Sequence, residues 1–401
     1  MPEEVSFIHA ADLHLDSPFK GLIDIPENIL QEIRESTFKA LDQLVEQAIR
    51  LRVDFVLLAG DLFDNERQSL KAQLRLRHAF ERLKTYDIPI YLSYGNHDYL
   101  QGNIHPVSYP DNVYIFPDGQ IRHFVYEKNG KKLTAIYGFS YEQRAVTENM
   151  AKRFHTMRDD GQIPYHIAML HGSLGHSTEH DTYAPFQITD MTEKSFDYWA
   201  LGHIHQREIV REQHPVIVYP GNTQGRSIKE SGQRGCYHVM MRNQKTTLSF
   251  LPLASVEFHT LEITVNHSNE IHELERLILE RIQQIKSTTV AQLVKLKLIA
   301  ERFDFYEELI EIVNEQIMHD TCWQYIYRFE LQTLDKGAMV KGQSFVGELA
   351  EHFSEVSIQP YIQELFSHKI ARKYLPAVTF EEEKSWKEEA QALLLQELLR
   401  Q

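Results

Sequence analysis

Asp12-Leu13-His14, Gly60-Asp61-Leu62-Phe63-Asp64, Gly95-Asn96-His97-Asp98, His171-Gly172 and Gly202-His203-Ile204-His205 gather carboxylates, imidazoles and one amide into five short segments. Together they offer the donor chemistry of a pair of divalent cations. Two cations held about 3.5–4 Å apart repel each other, and a shared anionic ligand offsets the repulsion. Asp61, on a tight turn, suits that bridging place. Asp12 and His14 are two residues apart, so in an extended segment both side chains point the same way and can grip one ion. His203 and His205 share that spacing and could serve one ion together or one each. Asn96 adds a neutral carbonyl oxygen, and His171 completes a mixed nitrogen and oxygen set. Such a set suits manganese, taken first, or iron or zinc, better than calcium. Any one segment alone reads as readily as a turn or a surface loop. Five of them in this order, each after a predicted strand, do not.

The elements that must position these residues follow from the periodicity. Val5–Ala10 reads as a strand, residues 27–52 as a helix with Ile33, Thr37, Leu41, Leu44, Val45 and Ala48 on one face. Residues 53–59 form a near-continuous apolar run, as a buried parallel strand does. A second helix with Ala72, Leu76, Ala79, Phe80 and Leu83 inward leads to a third strand at residues 88–93. This alternation implies a parallel sheet, and sites in such sheets form at the carboxyl ends of strands. Short strands follow at residues 113–116, 121–126, 133–137, 166–170, 198–201, 216–219, 236–241 and 247–251, with a hairpin turn at Asn129-Gly130. The expected fold is α/β: a two-sheet mixed β-sandwich flanked by helices over residues 1–255. A small α+β domain over residues 256–333 and a helical, acidic tail over 334–401 follow. The tail carries Trp386, Ala390, Leu393, Leu394 and Leu398 at helical spacing.

Composition bounds the function. The 401 residues carry a net charge of −15, of which −10 falls in residues 256–401. A free-standing DNA binder is usually basic, so strong unaided DNA binding is disfavoured, although bound cations add charge that the formal count omits. No apolar run reaches the roughly 18 residues of a membrane span. The N-terminus lacks the pattern of a signal peptide. The two cysteines, Cys236 and Cys322, have no metal-type spacing and read as reduced thiols of a cytoplasmic protein. Lys71, Arg75, His78 and Arg82 form a basic stripe beside the apolar face of the second helix; it reads as a solvated face or as a contact for DNA phosphate or a subunit. His176 and His180 lie in a loop near the candidate site and are weighed for a substrate role.

The order of motifs resembles the calcineurin-like metallophosphoesterase superfamily. The finer resemblance is to DNA-repair exonucleases of the SbcD type, and within them to the YhaO subgroup. It rests on HAADLHLDSPF (9–19), AGDLFD (59–64), YGNHD (94–98), LHGS (170–173), YWALGHIHQ (198–206) and VYPGNTQGRS (218–227), and covers residues 1 to about 330, the α+β segment resembling the family's capping domain. The resemblance implies one metal held by Asp12, His14, Asp61 and His205 and another by Asp61, Asn96, His171 and His203. It implies that His97 is the catalytic residue near the scissile phosphate, and that Asp98 accepts a hydrogen bond from His97. Some family members place a His where Asp64 stands, and Asp16 stands where many have Gly. By resemblance the tail would engage a coiled-coil ATPase like SbcC or YhaN, although its stripe through Trp386 and Leu398 could instead pack back on the chain's own body, and the chain would form a homodimer.

The expected function is a two-metal phosphodiesterase, a DNA exonuclease or endonuclease acting at DNA ends in repair. Two other classes compete: a phosphodiesterase for a cyclic nucleotide or nucleotide conjugate, and a non-catalytic adaptor of an ATPase complex. The intact ligand set argues against the adaptor.

Overall fold

Continuous apolar strands demand cover on both faces, and the chain meets that demand with two sheets stacked between helices. The structure, a computed structural model, describes residues 4–19, 21–22, 25–64, 68–102, 107–156, 163–175, 183–243, 245–265, 271–300, 306–333, 386–387 and 390. The first elements are β1 (Glu4–Ala10), α1 (Glu27–Leu51), β2 (Phe55–Ala59), α2 (Leu70–Lys84), β3 (Ile90–Ser93) and β4 (Val113–Ile115). Then come β5 (Arg122–Lys128), β6 (Lys131–Gly138), β7 (Tyr165–His171), α3 (Ile188–Thr192), β8 (Tyr198–Gly202), β9 (Glu208–Arg211) and β10 (Val216–Tyr219). β11 (Gly235–Arg242) and β12 (Lys245–Pro252) close this part, followed by β13 (Val256–Thr264), α4 (Ile271–Ile285), β14 (Ala291–Ala300), α5 (Tyr306–Ile317) and β15 (Gln324–Thr333).

One six-stranded sheet has the order β12-β11-β1-β2-β3-β4, the other β5-β6-β7-β8-β10-β9. β1 to β4 run parallel, as do β6, β7, β8 and β10. Alternate residues divide between the faces. Phe7, Phe55, Leu57 and Tyr91 of the first sheet meet Ile136, Ile167, Met169, Tyr198 and Ala200 of the second in a shared apolar layer. Ile8, Val56, Leu58 and Leu92 face the other way, against Leu41, Leu44 and Val45 of α1 and Leu76 and Phe80 of α2. Trp199, Leu201, Tyr137 and Leu170 pack outward from the second sheet with Phe154 and Phe196. The expected sandwich is the fold observed.

The helices have identifiable ends. Ser69 caps α2, its hydroxyl accepting from Ala72 N at 3.1 Å. α1 stops at Arg52, whose left-handed backbone, φ 52°, returns its N–H to the last turn. The expected strands appear within a few residues of their expected bounds. β9, a short strand at a sheet edge, has too little alternation to be read from sequence.

The third sheet is β13-β14-β15, with β13 and β14 parallel. Val256, Phe258, Leu293 and Trp323 from this region pack with Phe19, Ile29 and Ile33 around the start of α1. The chain divides into two units, residues 1–299 with 303–332, and residues 300–302 with 333–401. The helical tail expected over 334–401 lies outside the described residues except at 386–387 and 390, where the backbone is helical. No helix among the described residues is long and apolar enough to cross a membrane.

Candidate metal centre

The parallel strands β1, β2, β3, β7 and β8 each end in one of the five segments, so their carboxyl ends deliver the segments to one edge of the sandwich. Pairing continues past the strand ends. Asp12 N, His14 N and Leu15 N donate to the carbonyls of Gly60, Asp61 and Leu62 at 3.1, 3.1 and 2.9 Å. Gly172 N donates to Gly202 O at 3.1 Å in the second sheet. Asp12, His14, Asp61 and His203 all have positive φ, between 42° and 94°. Such backbone is costly for non-glycine residues and collects at functional sites. Gly60, φ 85°, and Gly95 are required by crowding: a Cβ at Gly60 would enter the His171 ring, and one at Gly95 would strike the Asp61 carboxylate.

Two clusters result. Asp12, His14 and His205 have ligand atoms within 4.8 Å of one another, and so do Asp61, His171 and His203. Asp61 lies between them, its Oδ2 3.9 Å from His14 Nε2 and 3.4 Å from His171 Nε2. Asn96 Oδ1 is 2.9 Å from His171 Nε2 and 3.1 Å from His203 Nδ1. All seven residues expected from the motifs are therefore brought together.

The donor set fits cations. His171 Nδ1 is 2.9 Å from Ala59 O, so this nitrogen carries the proton and Nε2 points its lone pair at Asn96 and Asp61. His205 Nδ1 is 2.7 Å from Glu230 Oε1, which leaves its Nε2 facing His14 Nε2 at 3.0 Å. At His171, Asn96 and Asp61 acceptors thus converge on acceptors, a set that a cation balances. The electrostatics of the cluster agree. Burial acts to lower His171, but the Asp61 carboxylate beside it raises the imidazole to about 9, so that a proton supplies the missing charge. Burial also acts to raise Asp61, yet His171 holds it well below the usual carboxylate range. Burial depresses His14, and with the help of His171 it lowers His203 to about 3, keeping both neutral and able to ligate.

His97 sits beside the first cluster, its ring centroid 5.0 Å from that of His14. Its N–H donates to Asp61 Oδ1 at 3.0 Å. The hydrogen bond expected from His97 to Asp98 is replaced by another: His97 Nδ1 lies 2.7 Å from the backbone carbonyl of Asp64. Asp98 is buried and spends its two oxygens on Leu62 N at 2.6 Å and Gly95 N at 2.7 Å. A buried carboxylate is satisfied by backbone N–H groups more readily than by a half-buried ring, and these two bonds tie the turn after β2 to the turn after β3. Burial, with the Asp61 charge, pushes Asp98 up to about 7.

Motif reasoning assigned no role to Arg226, Glu230, Arg234 or Asn222. Arg226 pairs with Asp64 and with Glu230, and Glu230 with His205. VYPGNTQGRS contains Asn222 and Arg226, but nothing in its spacing announces a contact with residues 160 positions earlier. Asp16 has φ 62° and sets its N–H 3.4 Å from Thr37 Oγ1, anchoring the loop to α1.

The basic stripe meets acids of α1. Lys71 pairs with Glu35, Arg75 with Asp42 at 3.0 Å, and Arg82 with Asp42 at 3.8 Å and Glu46 at 4.0 Å. Lys71 and Arg75 also lie over the Phe38 ring. His176 and His180 lie outside the described residues.

Comparison with known proteins agrees with this centre. The calcineurin-like phosphoesterase family matches residues 5–207. The chain is 36% identical to "Uncharacterized metallophosphoesterase YhaO" of Bacillus subtilis (strain 168) over 99% of both chains. It is 26% identical to "DNA double-strand break repair protein Mre11" of Methanocaldococcus jannaschii, covering 54% of this chain and 56% of that one. The protein of the same name from Archaeoglobus fulgidus is 22% identical over 87% of this chain and 84% of its own. With two adjoining cation clusters at the strand ends of a two-sheet sandwich, the chain belongs to the calcineurin-like phosphoesterase family and is a metal-dependent hydrolase.

Proposed function

We propose that the chain is a two-metal phosphodiesterase of the SbcD type, nearest the YhaO group, that cleaves DNA at its ends in repair. The observation that carries the reading is the convergence of Asp12, His14, Asp61, Asn96, His171, His203 and His205 on one edge. Similarity to relatives named for DNA double-strand break repair supports the choice of substrate.

One cation would be held by Asp12, His14, Asp61 and His205, the other by Asp61, Asn96, His171 and His203. Manganese is the first candidate for this mixed imidazole and carboxylate set, with iron or zinc as alternatives. Bound cations supply acidified water and neutralise charge on a phosphoryl group. The protein's own part is orientation. His171 and His205 are held in the tautomer that presents Nε2, by Ala59 O and Glu230 respectively. His97 is the catalytic residue of this reading. Its Nδ1 proton is engaged by Asp64 O, so Nε2 is the atom left to face the phosphoryl group, taking up a proton as the neutral ring and donating one to a phosphoryl or leaving oxygen as the imidazolium. Residues 1–255 would be the nuclease domain, 256–333 the cap, and 334–401 the segment that binds a coiled-coil ATPase like SbcC or YhaN. The enzyme would be cytoplasmic and dimeric.

A second reading, a small phosphodiester such as a cyclic nucleotide, draws support from the net charge of −15 and from the carboxylates that already engage Lys71, Arg75 and Arg82. Cleavage of end-labelled linear duplex by the purified chain with Mn²⁺, beside His97→Gln, separates the two. Shortened products from wild type alone support the nuclease. Intact duplex together with rapid hydrolysis of a small diester supports the second reading.

A further inference from the structure

Glu230 lies beyond the five motif-bearing strand ends, in a short 3₁₀ turn at Ile228–Glu230, yet its carboxylate is fully engaged at the centre. Oε1 meets His205 Nδ1 at 2.7 Å, and Oε2 accepts from Asn222 Nδ2 at 2.8 Å and from Arg226 N at 2.7 Å. The Arg226 guanidinium bridges from Glu230 Oε1, at 3.3 Å, to the Asp64 carboxylate. Asp64 in turn gives its backbone carbonyl to His97 Nδ1. Arg234, itself buried, holds the turn from behind, its guanidinium donating to His205 O and to Glu230 O.

His205, Glu230, Arg226 and the Asp64 carboxylate form a continuous chain of paired groups, which reaches His97 through the backbone carbonyl of Asp64. A carboxylate on the far nitrogen of a ligating histidine fixes its tautomer and its ring plane and makes it a stronger donor. His14 and His171 are buried, whereas His205 has 26% of its side chain accessible. Packing alone therefore holds its ring less firmly, and a carboxylate brace adds what packing does not. His171 gets the same service from a backbone carbonyl inside the sheet.

We infer that Glu230 and Arg226 are positioning residues: Glu230 fixes His205 as a ligand of the first cation, and Arg226 couples that carboxylate to the Asp64 seat of His97. The inference rests on the two-metal reading above, and its test reads metal rather than turnover. Full-length wild type, Glu230→Ala, Glu230→Gln, Arg226→Met and the double variant Glu230→Ala/Arg226→Met are stripped with chelator and titrated with Mn²⁺ by calorimetry, with thermal melts of the metal-free proteins alongside.

Wild type is expected to take two ions. Glu230→Ala should bind one of them about 10- to 100-fold more weakly and the other as wild type does; its metal-free melting temperature should fall as well, because Asn222 Nδ2 and Arg226 N lose their acceptor, so the contrast between the two ions carries the test. Glu230→Gln keeps an oxygen for the His205 N–H and nearly the same shape, so it should recover most of the lost affinity; it also serves should the alanine variant fail to fold. Arg226→Met should weaken the same ion, and the double variant should lose no more than Glu230→Ala alone, because the two act through one chain. Unchanged binding of both ions by the Glu230 variants, or equal weakening of both, overturns the inference. Additive losses in the double variant overturn the part assigned to Arg226. Failure of wild type to bind a pair of ions would instead overturn the two-metal reading.

Discussion

The carboxylate of Asp12, at the end of the first sheet, accepts the backbone N–H of His203, at the end of the second, with Oδ1 and Oδ2 at 3.1 and 3.0 Å. One residue therefore belongs both to the cation cluster and to the seam between the sheets. The two jobs respond differently to substitution. Asp12→Asn keeps an oxygen for the His203 N–H and should melt within about 1 kcal/mol of wild type, while losing the charge that a cation needs. Asp12→Ala leaves a buried N–H without its partner and should cost about 1–3 kcal/mol in addition. Metal-free melts and Mn²⁺ titrations of both variants check this. Equal melting of the two would mean that Asp12 does not stitch the sheets.

His97 supplies no atom to either cluster, although its backbone N–H touches Asp61. His97→Gln should thus retain both cations and lose turnover by about 10²- to 10⁴-fold, the usual scale for a general acid or its equivalent. Parallel metal analysis and diester hydrolysis decide it. Wild-type turnover in a variant that holds both metals would remove His97 from the mechanism.

Asp98 gives a sharper contrast, because its contacts differ from those the motif implies. Acting only through His97, it would change turnover and leave metal affinity alone. Its oxygens instead hold Leu62 N and Gly95 N, one residue away from Asp61 and from Asn96. Asp98→Ala should therefore lower Mn²⁺ affinity as well as turnover, and cost about 2–5 kcal/mol of stability for two orphaned backbone donors. Wild-type affinity for both ions in that variant would return Asp98 to a role on His97 alone.

These cases show what was legible in the sequence. The ligands were, because each occupies a fixed offset from the end of an apolar strand: Asp61 two residues after Ala59, His203 one after Gly202. Parallel pairing of β1 with β2, of β2 with β3 and of β7 with β8 then leaves little choice about where those ends lie. The partners of the ligands were not legible. Glu230 reaches His205 from a turn 25 residues on, and Arg226 reaches Asp64 across 162 residues. No local periodicity encodes such encounters. The Asp98 hydrogen bonds were misread for a related reason: adjacency in sequence to His97 says nothing about which way a buried carboxylate turns when unpaired backbone donors surround it.

The basic stripe on α2 was open between a solvated face and a DNA contact, and its carboxylate partners on α1 favour the first. Lys71, Arg75 and Arg82 are each 39–55% accessible in their side chains, and exposed pairs of this kind contribute about 0–1 kcal/mol. Changing all three to Gln should alter melting little and cleavage of linear duplex by less than about threefold, since phosphate contacts would otherwise fall with each lost cation. A steep loss of duplex cleavage, with hydrolysis of a small diester intact, would place the stripe under the DNA.

His9 offers a prediction in pH. It is fully buried in β1, its Nε2 3.0 Å from Leu201 O and its Nδ1 2.9 Å from Tyr198 OH, and so is held neutral as the Nε2–H tautomer across the two sheets. Burial lowers its pKa from 6.5 to about 3, against the opposing effect of the Leu201 carbonyl. The unfolded chain therefore takes up a proton near pH 6.5 that the folded chain refuses until about 3. The stabilising contribution is complete above pH 6.5 and is lost as pH falls from there through about 3, at up to about 1.4 kcal/mol per pH unit. His9→Gln cannot titrate. It should be the less stable protein at pH 7, by about 1–3 kcal/mol for the disturbed hydrogen bonds, and the gap to wild type should narrow or reverse by pH 4. Metal-free melts of both proteins between pH 7 and 4 measure the gap. A constant difference across that range would mean that His9 is protonated in the folded state, and that its bond to Leu201 survives on the imidazolium.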